Sequence, residues 1–151
     1  MYQKIMVPLD GSELAECVLP HVTFFLNQFQ NCKATFVRVV NPVPVSFGLE
    51  TSPAFFEEAE TSELAMKSSA EDYLKQIVEG FKDKAGETEI AVLMGRTAES
   101  LIDFSESQHV DLIIIATHGR SGISRWVMGS VADRILHSSH APILMIRAPG
   151  A

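Results

Sequence analysis

The order of apolar segments predicts an α/β fold, a single doubly wound open sheet of five mainly parallel strands in the order 3-2-1-4-5 with helices on both faces. Three observations lead there. Short runs rich in Val, Ile and Leu alternate with longer segments whose apolar residues recur at helical spacing. The short runs are apolar almost throughout, as strands covered on both faces are. A chain of 151 residues suits one domain, residues 1–151, which buries about 68–70% of the surface its unfolded form exposes. Right-handed crossovers then leave few topologies besides 3-2-1-4-5.

Each element has its own signal. Lys4–Leu9 is a nearly continuous apolar run, the first strand. Asp10-Gly11-Ser12 is turn chemistry, and Ser12 is placed to N-cap a helix. From Glu13 the residues Leu14, Cys17, Val18, Val22, Phe25, Leu26 and Phe29 keep a helical period, and Pro20 is expected to bend that helix rather than end it. Ala34–Val40 is the second strand. Residues 41–60, with three prolines and Phe47, Phe55 and Phe56, are expected to be a long irregular connection. A helix is expected from about Ser62 to Phe81, then a strand over Glu87–Met94. Thr97 is expected to cap a helix reaching about Ser107, with Ala98, Leu101, Ile102 and Phe104 inward. Asp111–Ala116 is the most strand-like run, Ser130 is expected to cap a helix to about Ser138, and Pro142–Arg147 is the last strand.

Composition narrows the function. The chain has 12 basic and 19 acidic side chains, a net charge of −7, which argues against bulk nucleic-acid binding. That charge is uneven: residues 1–116 hold 8 basic and 18 acidic groups, whereas 117–151 hold four Arg and one Asp, a net of +3. No apolar run approaches the ~18 residues of a membrane span. Cys17 and Cys32 have neither metal spacing nor a disulfide framework, in keeping with a cytoplasmic location. His137 and His140 lie near a helix end without a carboxylate or Cys cluster, so dipole placement explains them better than a metal does.

In the expected topology the strand order reverses between the first and fourth strands, and ligands bind beyond the carboxyl ends at such a point. The loops leaving those strands are Asp10-Gly11-Ser12 and Thr117-His118-Gly119-Arg120-Ser121-Gly122. Gly119 and Gly122 permit close approach of backbone N–H groups to an anion, and Gly129-Ser130 opens a helix whose start favours phosphate. There is neither a G-x-G-x-x-G nor a G-x-x-x-x-G-K-[ST] motif, which removes an ordinary dinucleotide site and a P-loop engine. Plain readings stand beside these: Asp10 as an Asx turn, Ser130 as a cap, His118 as a loop residue, and the glycines as turn residues. Arg125 and Trp126, between the two glycine sites, read equally as loop packing or as an exposed surface.

Four segments, Ile5–Ser12, Ala116–Gly122, Met128–Arg134 and Ala141–Arg147, resemble the universal stress protein family, and the likeness runs essentially end to end. The ATP-binding branch of that family carries G-x-x-G, nine residues, then G-[ST]. Here Gly119, the nine residues Arg120–Met128 and Gly129-Ser130 fit, while Ala116 stands at the first glycine. The resemblance implies an adenine nucleotide (ATP, ADP or AMP, with or without Mg²⁺) at the carboxyl ends of the first and fourth strands. It makes Asp10 an adenine or ribose contact and sets Val39 or Val40 beside the base. Gly119, Gly129, Ser130 and Val131 would hold phosphates, Arg120 matches a basic position, and Pro8, Leu9, Ser12, Ala116, Thr117, His118 and Gly122 complete the site. It also implies a homodimeric stress-response module pairing through Pro142–Arg147, with slow ATP hydrolysis at most. The alternative is a dimeric adaptor that binds no nucleotide, which the Ala116 substitution favours.

Overall fold

The computed structural model describes residues 2–29, 31–42, 53–118 and 128–148, with side chains in the third segment described from Glu57 onward. Strands β1 (Lys4–Pro8), β2 (Lys33–Val40), β3 (Glu87–Met94), β4 (Leu112–Ala116) and β5 (Ile143–Ile146) alternate with helices α1 (Glu13–Glu16), α2 (Leu19–Gln28), α3 (Pro53–Glu79), α4 (Thr97–Ser107) and α5 (Ser130–Ser138). The sheet runs β3-β2-β1-β4-β5 and every pairing is parallel, the expected topology.

Successive side chains of a strand point to opposite faces, and the core divides accordingly. Ile5, Val7, Phe36, Leu112 and Ile114 pack with Ala15, Val22, Leu26 and Leu74 from α1, α2 and α3. Met6, Val37, Ile113 and Ile115 pack with Leu101 of α4 and with Ala132 and Ile135 of α5. The central strands are buried on both faces, which is why they read as uninterrupted apolar runs.

Four local expectations need correction. The segment after β1 is two helices rather than one bent helix. The break falls at Cys17 and Val18, so Pro20 sits in the first turn of α2, where its missing N–H costs no hydrogen bond. Residues 53–60 are helical rather than irregular: Pro53 opens α3, a position for which its fixed φ suits it. Burial explains the misreading. The first fully buried described residue of α3 is Ala70, and Leu64 is exposed, so no buried apolar stripe runs through its described turns before Ala70. Phe47 lies outside the described residues, as do the side chains of Phe55 and Phe56. Thr97 is the first residue of α4, not its cap; Arg96 holds that position without a side-chain bond, and the Thr97 hydroxyl lies 3.4 Å from Asn41 Oδ1. Likewise Gly129 is the N-cap of α5 and Ser130 its first residue. The Ser12 cap forms as expected, its Oγ accepting from Ala15 N–H at 3.2 Å.

Candidate functional site

The turn after β1 is built by Asp10 and Gly11. Asp10 Oδ1 accepts from Ser12 N–H at 2.9 Å and from Ser12 Oγ at 2.6 Å, an Asx turn. Gly11 has φ +85°, which a side chain rarely tolerates, and it faces the Arg38 guanidinium, where an added Cβ would be 3.2 Å from Cζ. Arg38 in turn lies 5.1 Å from the centre of the Tyr73 ring, a cation–π distance. Tyr73 donates its hydroxyl to Glu16 Oε1 at 2.9 Å. Burial, followed by the Glu16 hydrogen bond and the Glu16 and Asp10 charges, holds the Tyr73 phenol well above its ordinary range, against the opposing pull of Arg38.

The end of β4 meets the start of α5 at Thr117. Its N–H donates to Ile146 O at 2.8 Å and its carbonyl accepts from Gly129 N–H at 2.8 Å. The Thr117 hydroxyl accepts from Ala148 N–H at 3.4 Å and lies 3.0 Å from His118 Nδ1. A Cβ on Gly129 would approach Thr117 O to 3.1 Å, so any larger residue there would press on the Thr117 carbonyl whatever binds nearby. Asp133 N–H makes the first helical bond of α5, to Gly129 O at 2.9 Å. The N–H groups of Ser130, Val131 and Ala132 precede it and carry the positive end of the helix dipole.

Between these two constructions lies a cavity of about 770 Å³ at the carboxyl ends of β1, β2 and β4, within the usual range of ligand sites. Of the residues the sequence singled out, Pro8, Leu9, Asp10, Val39, Val40, Ala116, Thr117, His118, Gly129, Ser130 and Val131 line it. Ser12 stands behind Asp10, bonded to its carboxylate. Gly119, Arg120 and Gly122 lie outside the described residues, and so do Arg125 and Trp126. Ala116 is 6% exposed and belongs to the same core cluster as Ala15 and Leu9, so most of its methyl is taken up by the protein interior. Asp10 and Arg38 are the charged members of the described lining.

Sequence reasoning passed over Arg38, Asn41, Thr97 and the α3 wall of Ser62, Ala65, Met66 and Ser69. For Arg38 a signal existed: a charge in the middle of a strand apolar on both sides needs an explanation. For α3 the signal was mixed, since Met66 and Tyr73 share one helical face with the polar Ser62 and Ser69. His137 and His140 are held locally. His137 Nδ1 lies 2.8 Å from Asp133 O and His140 Nδ1 3.2 Å from Glu106 Oε1, and no metal-binding cluster occurs among the described residues.

Comparison with known proteins fits this geometry. The family model for the universal stress protein family matches residues 1–147. The chain belongs to that family. The universal stress protein MJ0531 of Methanocaldococcus jannaschii is 29% identical over 150 residues, covering 99% of this chain and 84% of the relative. The solved structure of MJ0577, a universal stress protein of the same organism, superposes with a TM-score of 0.84 at 23% identity, covering 100% of this chain and 99% of that one. An Arabidopsis thaliana universal stress protein solved with AMP bound has a TM-score of 0.66 at 15% identity, covering 98% and 93%. A universal stress protein solved in complex with cAMP has a TM-score of 0.61 at 19% identity, covering 97% and 98%.

Proposed function

We propose that this universal stress protein binds an adenine nucleotide, ATP with ADP or AMP as alternatives, in the cavity at the carboxyl ends of β1 and β4. One observation carries the reading: a single cavity of about 770 Å³ is lined both by the start of α5, at Gly129, Ser130 and Val131, and by the Asp10 turn. The first supplies a seat for phosphate and the second a carboxylate for hydroxyl or amine groups. The AMP and cAMP held by two structural neighbours support an adenine nucleotide as the ligand class.

Binding rather than turnover is the proposed role. Phosphoryl transfer needs anchored Mg²⁺ and charge stabilisers. Asp10 is the one carboxylate in the described lining, and its Oδ1 already serves Ser12. Mg²⁺ accompanying ATP would therefore be carried mainly by phosphate oxygens and water. Ala116 was the feature favouring an adaptor without nucleotide, and its buried methyl weakens that reading. We also propose that the protein is cytoplasmic and dimerises through β5, a half-buried apolar edge strand of Ile143, Leu144, Met145 and Ile146 whose free edge suits pairing with a second copy. No described helix is long and apolar enough to cross a membrane.

Calorimetry and thermal melting with ATP, ADP and AMP, with and without Mg²⁺, test the reading. Saturable heat is expected, and ligand at about 100 times Kd should stabilise the fold by about 2.7 kcal/mol. Neither heat nor a melting shift at millimolar nucleotide would overturn it. Light scattering at tens of micromolar should return a dimer mass; a monomer mass would exclude the β5 contact.

A further inference from the structure

The cavity crosses the carboxyl edge of the sheet and has an arm on each face. Toward α4 and α5 it is lined by Val39, Leu101 and Val131, toward α1 and α3 by Arg38, Met66 and Ser69. The arms differ in charge. Beside the α3 arm stand Asp10 and Glu16, whose fields both reach Tyr73, with Arg38 opposing them. A carboxylate and a guanidinium together suit a neutral, hydrogen-bonding group, so with phosphates seated at α5 the nucleoside lies toward α3.

Arg38 lines that nucleoside arm and reaches both the Asp10 turn and α3, one turn beyond Ser69. Its guanidinium faces Gly11 of the Asp10 turn, where an added Cβ would come within 3.2 Å of it, and lies over the ring of Tyr73, which α3 contributes. Tyr73 is fixed in its turn by Glu16 of α1. The planar group thus sets the spacing between Asp10 and the α3 wall, a task a flexible ammonium performs poorly. Building on the nucleotide reading above, we propose that Arg38 is the positioning residue for nucleoside recognition: it holds the Asp10 turn against α3 and leaves phosphate binding at α5 to other groups.

The experiment compares ATP with inorganic tripolyphosphate by calorimetry, on wild type, Arg38→Ala and Arg38→Lys, with melting curves to verify the fold. ATP affinity should fall about tenfold in Arg38→Ala, while tripolyphosphate affinity stays within about twofold of wild type. Arg38→Lys keeps the charge but not the plane, and should recover less than half of the loss in binding free energy; it also decides the matter if Arg38→Ala does not fold. Unchanged ATP affinity in the variants, or parallel loss of both ligands, would overturn the role of Arg38. A wild-type protein that binds neither ligand would instead overturn the nucleotide reading itself.

Discussion

At the α5 end of the cavity the chemistry comes from backbone: a glycine N-cap pressed on Thr117 and the N–H groups that follow it. At the α3 end it comes from side chains brought together across the fold: Asp10 after β1 and Arg38 of β2 line it, and Tyr73 of α3, bonded to Glu16 of α1, backs Arg38. Backbone sites demand small residues at fixed offsets, so they leave a local motif. Side-chain sites assembled across the fold leave isolated residues tens of positions apart.

The comparison can be broken first at its packing. Leu74 anchors α3 in the core at 0% exposure, so Leu74→Ala should cost about 2–5 kcal/mol in urea unfolding. A cost below about 1 kcal/mol would mean that the α3 wall is not rigidly held. Gly129→Ala probes the other end. Thr117, tied to Ile146, has little room to yield to a methyl 3.1 Å from its carbonyl. A loss of about 1–3 kcal/mol is expected together with weaker ATP binding. Stability and affinity both unchanged would show that the junction is looser than described.

Ser130 is exposed at the helix start, so Ser130→Ala should leave unfolding within about 0.5 kcal/mol of wild type. ATP affinity should nonetheless drop by about two- to fivefold. An unchanged affinity would remove its hydroxyl from the site.

The smallest effect concerns pH. Tyr73 has its phenol pKa raised in the fold, from an ordinary 10.0. Above that pH the unfolded chain binds fewer protons than the native one, so this contribution to stability is present below about pH 10 and declines as pH rises further. Tyr73→Phe should flatten the alkaline decline relative to wild type; identical slopes would mean that the phenol is not held by Glu16 and its burial.

This contrast also explains what the sequence alone could tell. The strand order was legible because buried parallel strands are apolar throughout, and the proposed phosphate end is marked by Gly129-Ser130 following a strand-end loop at motif spacing. The start of α3 was not: its first described turns are solvated, and Pro53 looked like a breaker when it is an opener. Pro20 misled in the opposite sense, marking a helix start where a bend was expected. Arg38 was visible as an anomaly in β2, but its meaning depended on Gly11 and Tyr73, which only the fold brings to it.

The most direct test of the nucleotide site is residue-resolved. Amide chemical shifts recorded during an ATP titration should move at Ser12, Val40, Ser130 and Val131, around the one cavity that joins both ends. Saturable shifts confined to those surroundings are the expected result. Shifts centred instead on His109 and His140, at the opposite edge of the sheet, or no shifts at millimolar ATP, would contradict the account.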